Sequence, residues 1–236
     1  MKLETNREFC IKAFRAIDNK DLCEDFAEGH LQVLRHFGIK KISSADLLWM
    51  NNPDSYVIVA EYSDTGEVVG GARVQLANDN FPLPIETAIG ELDLSIIDYV
   101  SSLRIEGAVT GEICGLWNSR DVAGYGLGSN FLIKAAISVT NQLKMDTVLA
   151  FTALHTLSVV SEFGYSLETK LGDNGSFYYP QEDLMAYALI LSDPDTLSLA
   201  REDLKVGMQY LRKEKECSII EDTSKGLLYI NYSLDL

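Results

Sequence analysis

Hydrophobic residues recur every three to four positions in several stretches of the chain, and this spacing predicts amphipathic helices. Residues 7–17 (REFCIKAFRAI) and 25–39 (DFAEGHLQVLRHFGI) both follow it, so we predict that the first fifty residues are helical. Further helices are predicted over residues 91–103 and over residues 153–165, where Gly164 provides a stop.

Alternating or short continuous apolar runs predict the strands. Residues 55–63 (SYVIVAEYS) and 64–76 (DTGEVVGGARVQL) form a predicted hairpin with a turn at Asp64–Gly66. Residues 79–90 contain two prolines and are predicted to be a loop. Further strands are predicted at residues 110–119 (TGEICGLWNS), 146–152 (DTVLAFT), 176–179, 184–191 and 226–233 (GLLYINYS).

The predicted order is α-α-β-β-α-β-α-β-α-β-β, followed by a charged amphipathic helix near residues 195–215 and a final strand, which indicates an α+β fold. Asp193–Pro194 marks a boundary. We expect one domain over residues 1–194 and a helix-strand appendix over residues 195–236 that packs on it. The final strand has two alternative partners, the sheet of its own chain or that of a second subunit. The second alternative predicts a homodimer.

Composition argues against several classes of function. The 236-residue chain carries 20 Lys and Arg against 35 Asp and Glu, a formal net charge of −15, and has no basic stripe for a nucleic acid. No apolar run approaches the ~18 residues of a membrane helix, and no signal-peptide pattern is present, so we expect a cytoplasmic protein without a membrane partner. The four cysteines lack CxxC or zinc spacing, so we expect reduced thiols and no metal site.

A glycine-rich stretch, DVAGYGLGSNFLIKAAIS at residues 121–138, lies between a predicted strand and a predicted helix. Gly124, Gly126 and Gly128 occupy alternate positions, which fits neither the Rossmann fingerprint nor the Walker A loop. Backbone N–H groups at a helix start lack intrahelical partners and lie at the positive end of the helix dipole, so such a turn can bind a pyrophosphate. A tight turn without a ligand is the alternative interpretation.

The order and spacing of these segments resemble the GNAT superfamily of acyl-CoA N-acyltransferases. The family's cofactor motif, [QR]-x-x-G-x-[GA], matches residues 123–128 (AGYGLG), except that Ala123 stands where Gln or Arg is expected. The hairpin and the Phe163-Gly164 pair also match, and the resemblance covers about residues 55–190.

The resemblance implies a central mixed, mostly antiparallel sheet flanked by helices, and an acyl-CoA cosubstrate, acetyl-CoA or another. It also implies that strands splay apart near Leu116–Asn118 and Phe151–Thr152, so that backbone groups can bind the pantetheine arm. The residues implied to contact the cofactor are Leu116, Trp117, Asn118, Ala123, Gly124, Tyr125, Gly126, Leu127, Gly128 and Ser129.

Acyl transfer to an amine requires a base, because an aliphatic amine is mostly protonated at neutral pH. Glu112 is our candidate, since it lies on the strand before the glycine turn, where several GNAT enzymes carry a catalytic Glu. Strand alternation places Leu116 and Asn118 on the face of Glu112 and directs Trp117 to the other face. Burial there would raise the pKa of Glu112 toward a useful range. A structural carboxylate, satisfied by solvent or by an arginine, is the alternative.

The leaving thiolate is usually protonated in this family by a tyrosine in the helix before the Phe-Gly pair. That helix has no tyrosine here, so Tyr178 is the candidate acid. Water, Tyr179 and His155 are alternatives.

The resemblance implies transfer of an acetyl group from acetyl-CoA to a small-molecule or peptide amine by direct attack. The acidic chain attracts cations, which favours an amine acceptor. Two alternatives remain open. A synthase related to acyl-homoserine lactone synthases would carry Arg73 in the position of an arginine of those enzymes and would use a long acyl chain. A non-catalytic domain would bind acyl-CoA without turning it over.

Overall fold

The computed structural model describes residues 7–39 and 47–236, and the described part is built around a ten-stranded sheet. The strands are β1 (Arg7–Arg15), β2 (Ser55–Tyr62), β3 (Val68–Leu76), β4 (Thr110–Asn118), β5 (Thr147–Ala153), β6 (Ser166–Leu167), β7 (Ser176–Tyr178), β8 (Met185–Leu191), β9 (Glu216–Thr223) and β10 (Gly226–Ser233). Their order in the sheet is β6-β8-β5-β4-β3-β2-β1-β10-β9, with β7 also paired to β8. The pairs β1–β10 and β4–β5 are parallel and the other pairs are antiparallel, which confirms the expected mixed, mostly antiparallel sheet.

Helices cover both faces of this sheet. They are α1 (Lys20–His36), α2 (Pro84–Ile89), α3 (Ser95–Leu103), α4 (Ile133–Gln142), α5 (Leu154–Glu162) and α6 (Glu202–Lys213). On one face, here called the front face, α1 buries Phe26 against β2, and α2 and α3 pack on Leu149 of β5. The opposite face, here called the back face, is covered by α4, α5 and α6. None of the described helices is long and apolar enough to cross a membrane.

Of residues 7–17, predicted to be helical, Arg7–Arg15 form strand β1 instead, and a short 3-10 turn, Ala16–Asp18, follows. Phe9, Ile11 and Ala13 are buried and alternate with more exposed residues, while β1 pairs with β2 on one side and with β10 on the other. Over so short a stretch the apolar positions fit both the helical and the strand periodicity. Pairing with two distant strands therefore decides that the segment is a strand.

Residues 79–90, predicted to be a loop, contain helix α2. Pro84 lies in its first turn, where no intrahelical N–H is required. The Leu83 amide donates a hydrogen bond to Glu86 Oε2 at 2.7 Å, which stabilises the same turn. The proline that predicted a loop therefore marks the start of a helix.

Residues 195–236 extend the same sheet. Strand β10 pairs with β1, β9 pairs with β10, and α6 packs on α4. Lys134 of α4 is buried and forms an ion pair with Glu221 of β9 at 2.5 Å. The sequence predicted the helix and the final strand but missed β9, whose sequence, ECSIIEDT, has three charged residues among eight and lies on the sheet edge.

Candidate active site

Strands β4 and β5 pair over a short distance and then diverge. Their parallel register runs from Thr110 opposite Thr147 to Glu112 opposite Leu149 and goes no further. Beyond this point β4 continues to pair with β3, and β5 continues to pair with β8. The edges of β4 and β5 that face each other therefore present unpaired backbone groups, and Glu112 lies where the gap begins.

A bulge in β4 changes which side chains share a face. Arg73 pairs with Cys114 and Gly71 pairs with Trp117, so two residues of β4 oppose one residue of β3. Gly115, within the bulge, has a φ of 59°, a conformation that glycine adopts readily. After the bulge, Trp117 lies on the front face with Glu112.

The prediction that Trp117 points away from Glu112 is therefore wrong. The indole packs beneath α1 at 6.2 Å from the ring of Phe26, between ring centroids. Leu116 and Asn118, predicted to share the face of Glu112, lie on the back face, where Leu116 contacts the α4 core and Asn118 approaches Gly128. A single inserted residue reverses the alternation of the rest of the strand.

Glu112 is enclosed on the front face, with 1% of its surface exposed. Its Oε2 accepts a hydrogen bond from the Ile85 amide of α2 at 2.7 Å. Burial raises the pKa of Glu112 to about 8, although this hydrogen bond and the charge of Arg73 act in the opposite direction. The carboxyl can therefore gain and lose a proton near neutral pH.

Arg73 lies beside Glu112 on the same face and is only 2% exposed. Its Nε donates to Cys114 Sγ at 3.3 Å, and its guanidinium carbon lies 4.6 Å from the centroid of the Trp49 ring. Its Nη1 is buried and has no hydrogen-bond partner in the described part of the chain. Burial, with the Arg73 charge, lowers the pKa of nearby His30 to about 4, so that imidazole stays neutral. Burial also raises the pKa of Cys114 to about 11, which keeps the thiol protonated.

The glycine turn leads into a helix whose first turn, Leu127–Leu132, is π-helical and continues into α4. Gly126 precedes it with a φ of 77°, and the first amide to bond back is that of Asn130, which donates to the Gly126 carbonyl at 2.9 Å. Among the described residues, the amides from Gly126 to Ser129 have no acceptor. Gly128 serves packing, since a Cβ there would lie 2.3 Å from Asn118 Oδ1.

Two cations from distant parts of the chain flank the glycine turn. Lys225, in the turn between β9 and β10, donates from Nζ to the Ala123 carbonyl at 2.5 Å and lies 5.0 Å from the centroid of the Tyr125 ring. Arg7 of β1 lies 4.9 Å from the same centroid and donates to the Asp121 carbonyl at 3.1 Å. Sequence reasoning missed both cations, because no local pattern links the glycine turn to residues about a hundred positions away.

Tyr178 does not join this site. Its neighbour Phe177 packs on the front face in the same cluster as Leu149, so Tyr178 points to the other face, where it is 66% exposed. A different tyrosine, Tyr165 in the core of the back face, lies within electrostatic range of Glu112. The Tyr165 hydroxyl is buried and has no hydrogen-bond partner within residues 7–39 and 47–236, and burial together with the charge of Glu112 raises its pKa.

Outside this site, the described residues form an open cleft but no metal-binding cluster. No group of three His, Cys, Asp or Glu side chains in the described ranges is arranged to hold a metal ion. An open cleft of about 540 Å³ lies elsewhere, where Phe14 and Tyr56 face Gln142 and the carboxyl-terminal residues.

Comparison with known proteins gives a match at the level of structure. No protein-family model matches the sequence, and no curated protein sequence matches it. The structure of FeeM, an N-acyl amino acid synthase from uncultured soil microbes, matches with a TM-score of 0.60 and 12% identity over 83% of this chain and 96% of that chain. BjaI, a CoA-dependent acyl-homoserine lactone synthase in a structure with SAM and isopentyl-CoA, matches with a TM-score of 0.54 and 16% identity over 85% and 88%. MesI, a CoA-dependent acyl-homoserine lactone synthase, matches with a TM-score of 0.51 and 11% identity over 86% and 95%.

Proposed function

We propose that this chain, which has the GNAT fold, transfers an acyl group from an acyl-CoA to the amine of a small molecule or peptide. The observation that carries the proposal is the position of Glu112, a buried carboxyl with a pKa of about 8 at the point where β4 and β5 diverge. A base whose pKa lies near the working pH is well matched to remove a proton from an amine.

The glycine turn and the diverging strands fit the donor. The free amides from Gly126 to Ser129 lie at the start of a helix, where backbone N–H groups and the helix dipole favour a pyrophosphate. Lys225 and Arg7 supply positive charge beside Ala123, where the family motif has Gln or Arg. The unpaired edge of β4 can bond the amides of a pantetheine arm. Of the proposed cofactor contacts, Trp117 would act through its backbone, because its side chain packs under α1.

The side chains near the gap have distinct tasks in this proposal. Acyl-CoA supplies an activated thioester, whose C–S bond breaks as the amine nitrogen forms the C–N bond of the product. Glu112 takes the proton that the amine loses. The Tyr165 hydroxyl donates a hydrogen bond to the departing sulfur, in place of Tyr178, which is exposed to solvent.

A second candidate function differs in the donor. Transfer of acetyl from acetyl-CoA is the first candidate, and transfer of a longer acyl chain is the second. The likeness to BjaI, whose structure contains isopentyl-CoA, favours the second.

Release of free CoA thiol tests both candidates, with acetyl-CoA, isopentyl-CoA and octanoyl-CoA as donors and mixtures of amines as acceptors. We expect thiol release that depends on amine and whose rate rises with pH to a plateau above about 8. Glu112→Gln should lower the rate about 100-fold or more while donor binding is unchanged. The donor with the highest kcat/KM decides between acetyl and longer chains. Donor binding without amine-dependent thiol release would contradict an enzymatic role and favour the non-catalytic alternative.

A further inference from the structure

We infer that the acyl acceptor carries a carboxylate next to its amine, as an α-amino acid does, and that Arg73 binds this carboxylate. The inference deepens the proposed function and rests on it, because it assigns the chemical class of the acceptor at the same site.

Arg73 is a buried cation with no anion among the described residues. Its two described contacts, the Cys114 thiol and the face of the Trp49 ring, are neutral. The ion pairs in residues 7–39 and 47–236 all involve other cations. A charge in so dry an environment is strongly unfavourable unless an opposite charge compensates it, and the free N–H of Nη1 gives that charge a place to bind.

At neutral pH, Glu112 does not serve as the missing anion. No ion pair joins it to Arg73 in the described part of the chain, and its carboxyl is largely protonated at neutral pH because its pKa is about 8. Its Oε2 is instead bonded to the Ile85 amide. The front face thus presents a guanidinium that needs an anion beside a carboxyl that can accept a proton.

The register of the sheet sets the distance between these two groups. Arg73 lies opposite Cys114, and Glu112 is two residues before Cys114 on the same face. Diagonal neighbours of this kind have backbones about 7–8 Å apart, and both side chains reach across that space. In an α-amino acid the amine and the carboxylate share one carbon atom, so one molecule can place its amine at Glu112 while its carboxylate meets Arg73.

A carboxylate fits Arg73 better than the other groups expected at this site. The thioester carbonyl and the pantetheine amides are neutral and would leave the buried charge uncompensated. A carboxylate carries the opposite charge and matches the planar donor fork of a guanidinium. Trp49, stacked on that fork, restricts its orientation.

Acceptor pairs that differ only in the carboxylate test the inference. We would measure thiol release with phenylalanine against phenethylamine, and with leucine against isoamylamine, for the wild-type protein and for Arg73→Met. We expect the wild type to prefer each amino acid by at least tenfold in kcat/KM. Arg73→Met should raise KM for the amino acids at least tenfold and leave that for the amines within about twofold. Arg35→Met, on the exposed side of α1, is the matched control.

Methionine replaces the buried arginine with an apolar side chain of comparable length, so the variant should fold, and its thermal midpoint with and without acyl-CoA reports folding and donor binding. An equal or higher kcat/KM for the amines in the wild type would overturn the inference, as would an equal loss for both acceptor classes in the variant. Calorimetric binding of phenylalanine provides a readout without turnover. Binding that Arg73→Met abolishes, in a protein that releases no CoA thiol, would support the carboxylate site and contradict the transfer reaction.

Discussion

At the level of single residues, folding keeps the Glu112 carboxyl protonated at pH values where a carboxyl is usually ionised, because burial raises its pKa from 4.5 to about 8. Between these two pH values the folded protein binds a proton that the unfolded chain has released. The contribution of Glu112 to the free energy of unfolding therefore falls as pH rises through this window and is constant above it.

Glu112→Gln removes this pH dependence and keeps an acceptor for the Ile85 amide. We expect the thermal midpoint of the variant, relative to that of the wild type, to rise by several degrees between about pH 5 and pH 8 and then to level off. Scanning calorimetry across this range is the measurement, with the exposed Glu202→Gln as control. A difference that does not change with pH would contradict the raised pKa.

The two tyrosines differ in burial, and this difference gives a second prediction. Tyr165→Phe removes a buried hydroxyl within electrostatic range of Glu112, whereas Tyr178→Phe removes an exposed one. We expect Tyr165→Phe to lower kcat about tenfold or more with little change in KM, and Tyr178→Phe to leave both unchanged. Steady-state thiol release measures both variants. A loss confined to Tyr178→Phe would restore the original assignment.

At the level of elements, the glycine turn shows why its own glycines are poor probes of ligand binding. Gly124 and Gly126 have φ values of 81° and 77°, where a side chain costs about 1–2 kcal/mol. Gly128 leaves no room for a Cβ against Asn118. Substitution at any of the three would disturb the turn whether or not a ligand binds there.

Lys225 provides a cleaner test, because its side chain is exposed and makes one described hydrogen bond, to Ala123. We expect Lys225→Ala to raise the Kd for CoA about 3- to 5-fold and to weaken its dependence on salt, as the loss of one exposed cation would. Lys213→Ala, also exposed, is the control. Isothermal titration at two salt concentrations is the measurement, and an unchanged Kd would remove Lys225 from the donor site.

The sequence predicted most elements of the core but not which way every side chain points. The strand at Thr110–Asn118, the hairpin before it and the helix after the glycine turn all formed as expected, since each has a clear local period. The bulge at Gly115 has no such period, and it places Trp117 on the unexpected face. Glu112 lies before the bulge, and its predicted burial is confirmed.

At the level of the whole molecule, the features that the sequence did not predict depend on contacts between distant segments. The pairing of strand β1 with β10 joins segments separated by most of the chain. The contact of Lys225 with the glycine turn joins segments separated by nearly half of it. Neither contact leaves a local signal, because each is selected by the packing of the complete sheet. The net charge of −15 is likewise a property of the whole chain, whereas Arg73 creates a positive environment at one buried position.

The contact between Lys225 and Ala123 has a consequence for protein synthesis, because these residues are 102 positions apart. A ribosome releases the glycine turn long before it releases the β9–β10 turn. Strand β1 likewise waits until its parallel partner β10, which begins at Gly226, has been synthesised. The nascent chain would therefore fold α1 to α5 without the full positive charge of the donor site, and tight binding of cosubstrate would begin only after the β9–β10 turn has left the exit tunnel.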